Sequence, residues 1–257
     1  MTDQPTVTPV PTSPAFLTYS VPEVRWGWWD VIYGVAAFFL ALTLQIVAVV
    51  VLTPSPDSAD AFGFVFSLVT YAAIAAVVVV AARRKGLGSL AADFGVRFRW
   101  VDLGLGVAAG VAAKVFTFVL TAIAIVATNN TPEQGNFVLS PDPLWMVLNG
   151  VIVASLVAPF VEELFFRGLL QRSVARIASS RMGTRSGVAV AVLTSSALFA
   201  LLHVSQAANP TGALLLGLTT FLFGIGAGLV AALTGRIGGA IIAHIVFNGA
   251  LVLTSLV

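Results

Sequence analysis

From Trp26 onward the chain alternates long apolar runs with short polar connectors. A helix needs about 20 mostly apolar residues to cross a bilayer. On that rule the pattern predicts seven spans, at residues 30–52, 61–82, 101–128, 144–170, 187–204, 213–233 and 237–257. Trp26, Trp28 and Trp29 precede the first span and Trp100 precedes the third, where an interfacial aromatic belt would sit. The expected fold is all-α: a polytopic membrane helical bundle forming a single transmembrane domain over residues 26–257. No internal repeat is visible, so the matched halves of an inverted-repeat transporter are not predicted. The pairs Gly106/Gly110 and Gly224/Gly228 have the small-residue spacing that lets helices approach closely. Gly224, Gly226 and Gly228 are no dinucleotide fingerprint, because they lie inside an apolar span with no strand before them.

Composition agrees. The 257 residues are 58% hydrophobic and 9% charged, against about 25% charged in soluble domains. The mean hydropathy is +1.00. Lipid, not water, must therefore contact much of the surface. A net charge of +2 gives no basis for nucleic-acid binding. The absence of cysteine excludes a disulfide framework, a thiolate metal site and a cysteine nucleophile. Residues 1–25 are rich in Pro, Thr and Ser and read as a disordered cytoplasmic tail. Asp3 and Pro5 stand where a signal peptide would be basic.

Charge along the connectors sets an orientation. Arg83, Arg84, Lys85, Arg97 and Arg99 share one connector; Arg172, Arg176, Arg181 and Arg185 share another; and Arg236 precedes the last span. Residues 53–60, 129–143 and 205–212 contain no Lys or Arg. The positive-inside rule then places the N-terminus in the cytoplasm and the C-terminus outside. The arginines after the fourth span are expected to set topology and touch headgroups. Enrichment in Ala, Val and Arg with two lysines suggests a GC-rich bacterial genome, and the expected location is the cell (plasma) membrane.

The informative residues are those lipid should exclude. Lys114, Glu162, Glu163, Arg167, His203 and His244 all fall within spans, accompanied by Gln45, Asn149 and Asn248. Each ionisable group at a span centre costs about 2.5–3.5 kcal/mol, so such groups are expected to be paired and functional. Residues four apart share a helix face, which lets Glu163 pair with Arg167 and aligns Phe199 with His203 and His244 with Asn248. Lys114 is expected either to pair with a carboxylate or to face a water-filled cavity. The bland alternative for the carboxylates is a structural ion pair between helices. The chemical one is water activation. A carboxylate withheld from bulk water can act as a general base, histidine can share or shuttle the proton, and His and Asn can donate to a developing oxyanion. Glu162, His203 and His244 could instead hold a zinc ion with its water.

Three motifs carry a resemblance. Glu162-Glu163-Leu164-Phe165-Phe166-Arg167, Phe199-Ala200-Leu201-Leu202-His203 and His244-Ile245-Val246-Phe247-Asn248 resemble the EExxxR, FxxxH and HxxxN motifs of the CAAX prenyl protease type II and bacteriocin-processing family (CPBP, also called ABI or Rce1-like). They come in the family's order and use both histidines of the chain. Gly168 and Thr234-Gly235 are similar to the family as well. The resemblance covers residues 144–257, a protease-like core. It implies an intramembrane endopeptidase acting on a peptide or membrane-protein tail, with the lipid bilayer as its other partner. By that resemblance Glu162 and His203 activate the water and His244 and Asn248 stabilise the oxyanion. Glu163 and Arg167 organise the site, with Phe199 in support. The mechanism is metallo- or glutamate-type, with zinc not obligatory.

Two other functions fit the same residues: a non-catalytic immunity or scaffold protein on this fold, and a proton-coupled transporter. The Gly-x-Ser-Gly context of serine intramembrane proteases, His-Glu-x-x-His and Gly-x-Gly-Asp are all absent. Thr194-Ser195-Ser196 therefore reads as helix packing. One geometric difficulty stands. Straight spans place Glu162 and His244 toward the inner face but His203 near the outer end of the fifth span. Convergence would need that span tilted or displaced.

Overall fold

The structure is a computed structural model that describes residues 24–129 and 140–254; the expected tail lies almost wholly outside them. The described residues form eight helices: α1 (Trp28–Leu52), α2 (Ala59–Lys85), α3 (Leu90–Phe94), α4 (Trp100–Thr128), α5 (Pro143–Met182), α6 (Thr184–Val204), α7 (Pro210–Thr234) and α8 (Gly238–Thr254). The fold is an all-α membrane bundle. Six helices are long and apolar enough to cross a bilayer. The expected seventh span is α8, of which the structure describes 17 residues. It stands against the glycine face of α4. A Cβ at Gly106 would meet the Gly239 carbonyl at 2.6 Å, and one at Gly110 the Ala243 carbonyl at 2.5 Å. The two backbones therefore touch where the sequence has no side chain.

Acidic residues at helix starts lock the end that carries the basic connectors. Asp30 accepts the Gly27 backbone N–H at 3.0 Å and pairs with Lys85 at 2.8 Å. Asp102 accepts the Arg99 N–H at 2.7 Å and takes a two-pronged bridge from Arg236, at 3.0 and 2.7 Å. That bridge holds the Arg236 guanidinium above its ordinary range. Each acid thus satisfies an orphan donor of its own helix and ties that helix to another connector. Trp26 departs from the expected aromatic belt. It is fully buried and donates its indole N–H to Asp93 at 2.9 Å, whereas Trp28, Trp29 and Trp100 are exposed.

The fourth span needs the largest correction. Residues 171–186 do not form a connector. Helix α5 continues to Met182, the chain turns at Gly183 (φ +81°), and α6 begins at Thr184. Arg172, Arg176 and Arg181 interrupt the apolar run without interrupting the helix, because Arg is a good helix former, and Arg185 lies beyond the turn in α6. Two of them also turn inward rather than to headgroups. Arg172 donates to the Gly235 carbonyl at 2.9 Å, and Arg176 donates to the carbonyls of Val24 and Trp26. Gly187 closes the hairpin, since a Cβ there would meet the Ser179 backbone at 2.4 Å.

Candidate active site

Helix α5 delivers the carboxylates from a short α-helical stretch, Ala158–Glu163, between two segments of wider turns, Met146–Val157 and Leu164–Leu170. Wide turns hydrogen-bond to the fifth residue and recur at functional sites. Here Pro159, with no N–H to give, is the second residue of the stretch between them, and Ser155 donates its hydroxyl to the Gly150 carbonyl at 2.8 Å. Adjacent positions on this stretch point in different directions. Glu163 is fully buried, while the Glu162 side chain keeps 17% of its surface exposed.

Glu163 is the hub of a buried network. Its Oε1 accepts from Arg167 Nη1 and from His244 Nδ1, each at 2.9 Å. Arg167 also donates to the Gly224 carbonyl at 3.3 Å, and its guanidinium lies 4.7 Å from the Phe199 ring centre. An N–H on His244 Nδ1 donates to that oxygen. That leaves His244 Nε2 facing Glu162, 3.8 Å from Oε2. The imidazole is held edge-on to Phe199, ring centres 5.6 Å apart, with Phe223 at 4.8 Å. The second network oxygen, Glu163 Oε2, is buried without a hydrogen-bond partner among the described residues.

Glu162 opens onto a cavity of about 90 Å³. His203 and Gln206 line it from α6 and the connector that follows. Tyr71 lines it from α2, and Gly34 and Phe38 from α1. Tyr71 donates its hydroxyl to Glu162 Oε1 at 3.2 Å. His203 Nδ1 lies 2.8 Å from the Phe199 carbonyl. An N–H there donates to that oxygen and leaves Nε2 free.

The hairpin register brings His203 to Glu162. Ser195 donates to the Phe166 carbonyl at 3.0 Å, and the Phe166 and Phe199 rings meet at 5.1 Å. Glu162 and His203 lie farther along the same two helices, equidistant from Gly183 to within one residue. A turn at Gly183, not a connector beginning at residue 171, makes them level. No displaced fifth span is required.

The other predicted residues take distinct places. Asn248 donates to the Ala154 carbonyl at 2.9 Å, tying α8 to the wide-turn segment. Phe199 is buried and packs against His203, His244 and Arg167. Lys114 Nζ stands 4.3 Å over the Phe247 ring. Ser196 bonds within its own helix, to the Val192 carbonyl at 2.7 Å. Among the described residues no group of three His, Asp or Glu side chains is placed to hold a metal ion. Tyr71, Thr70 and Gln206 are cavity residues that the sequence did not disclose.

Residues 143–250 match the family described as type II CAAX prenyl endopeptidase Rce1-like. The matched stretch spans every motif residue from Glu162 to Asn248 and ends short of α1 to α4. No curated protein and no solved structure matches the chain.

Proposed function

We propose, from the premise that residues 143–250 are an Rce1-like domain, that this protein is an intramembrane endopeptidase whose base is Glu162. One observation carries the reading: Glu162 and His203 share one cavity, backed by the buried Glu163–Arg167–His244 network. The substrate is a peptide or a membrane-protein tail. A water between Glu162 and His203 gives a proton to the Glu162 carboxylate as its oxygen attacks the scissile carbonyl. The carbonyl π pair moves onto oxygen. His244, oriented by Glu163, directs Nε2 toward the reacting group and, when protonated there, donates to that oxyanion. Asn248 supplies its second amide proton, the first being given to Ala154. Collapse of the tetrahedral centre breaks the C–N bond. The proton held by Glu162 passes, directly or through His203 Nε2, to the leaving amine. The products are a carboxylic acid and an amine.

Quantitative N-terminal peptide profiling of membranes tests this. Cells expressing the wild type should show new N-termini that cells expressing Glu162→Gln lack, since the amide keeps size but not basicity. Identical profiles from equally abundant folded proteins would contradict the proposal and favour a non-catalytic immunity or scaffold role.

A further inference from the structure

Glu162 accepts a hydrogen bond from outside the Rce1-like segment. The donor is the Tyr71 hydroxyl, 3.2 Å from Oε1 and 91 positions earlier in the chain. Tyr71 sits in α2, remote in sequence from the matched residues 143–250. Its ring packs against the main apolar core, and its hydroxyl borders the cavity that holds Glu162 and His203. The hydroxyl is therefore anchored rather than free to seek solvent.

We infer that Tyr71 is a positioning residue for the Glu162 carboxylate. A carboxylate on a flexible side chain has two equivalent oxygens and a soft terminal torsion. A phenolic donor on Oε1 fixes the plane and makes the oxygens unequal. Oε2 is left toward His244 Nε2, at 3.8 Å, as the oxygen free to take the proton of water. On this account the Rce1-like core contributes the base, and the N-terminal half sets its aim. The consequence for the reaction rests on the proposed endopeptidase reading; the positioning does not.

Two readouts test this with Tyr71→Phe, which keeps the ring and its packing. The first needs no substrate. Detergent-solubilised full-length protein is treated with dicyclohexylcarbodiimide, an apolar reagent for carboxyl groups, and labelling of Glu162 is followed by peptide mass spectrometry. Freeing Oε1 should raise the rate about tenfold, the scale of a hydrogen bond to a charged group, while Glu162→Gln gives no adduct at that position. The parent labelling rate in Tyr71→Phe would overturn the inference, whether or not any peptide is cleaved. The second readout uses a membrane peptide whose cleavage depends on Glu162. Tyr71→Phe should lower kcat about tenfold with KM unchanged, and should add nothing in the Glu162→Gln background, because it acts through that side chain. Full additivity of the two substitutions would also overturn it. A wild type that cuts nothing, with labelling still accelerated in Tyr71→Phe, would refute the endopeptidase proposal and leave Tyr71 in its positioning role.

Discussion

Arg167 shows what one residue holds together. It is fully buried, donates to Glu163 at 2.9 Å, and sits among aromatic faces. Removing one partner of a buried pair leaves the other charge uncompensated, at about 3–5 kcal/mol. Arg167→Met should therefore lower the unfolding temperature in detergent sharply, and adding Glu163→Gln should recover part of the loss. An unchanged melt of the single variant would show that the pair is not holding the site. This pair was legible from its i,i+4 spacing alone, because the helix geometry that joins its members is local. Tyr71 was not legible: its partner lies 91 positions away, and a lone tyrosine in an apolar run carries no periodic signal. Lys114 was noticed, but its partner was not foreseen, because an aromatic face leaves no charge pattern in the sequence.

At the scale of elements, the cavity depends on how closely α1 meets α5. A Cβ at Gly34 would lie 2.2 Å from Cε2 of Phe165, and both residues line the cavity. Gly34→Ala must move that ring, with the cavity as the space beside it. Glu162-dependent cleavage should fall at least tenfold, while Gly63→Ala, with nothing within 4 Å of its Cβ, leaves it at the wild-type level. Equal activity in the two variants would contradict this account of the cavity wall. Spans were readable because lipid exposure demands uninterrupted apolar runs. The end of α5 was not, because hydropathy reports immersion rather than helicity. Arg172 and Arg176 continue the helix while ending the apolar run, and they spend their charge on backbone carbonyls. That one boundary decided whether His203 could reach Glu162.

For the whole molecule, the connectors rich in Lys and Arg alternate along the chain with connectors that contain none. The chain has no cysteine, so single cysteines report sidedness without background. With the basic connectors in the cytoplasm, Ser58→Cys should react with an impermeant maleimide on intact cells, and Arg185→Cys should react only after permeabilisation. The reverse pattern would invert the orientation. The bundle and the three motif helices were legible in the sequence because periodicity and motif order survive without coordinates. The N-terminal wall of the cavity was not, since α1 and α2 carry no motif and meet the site only through tertiary packing. The central claim is that water activated by Glu162 cuts a peptide bond inside this bundle, and the most direct measurement is made in H₂¹⁸O. Membranes containing the wild type should yield peptides with one heavy oxygen at each new C-terminus, and membranes containing Glu162→Gln should not. The same heavy-oxygen termini from both proteins, or from neither, would contradict it.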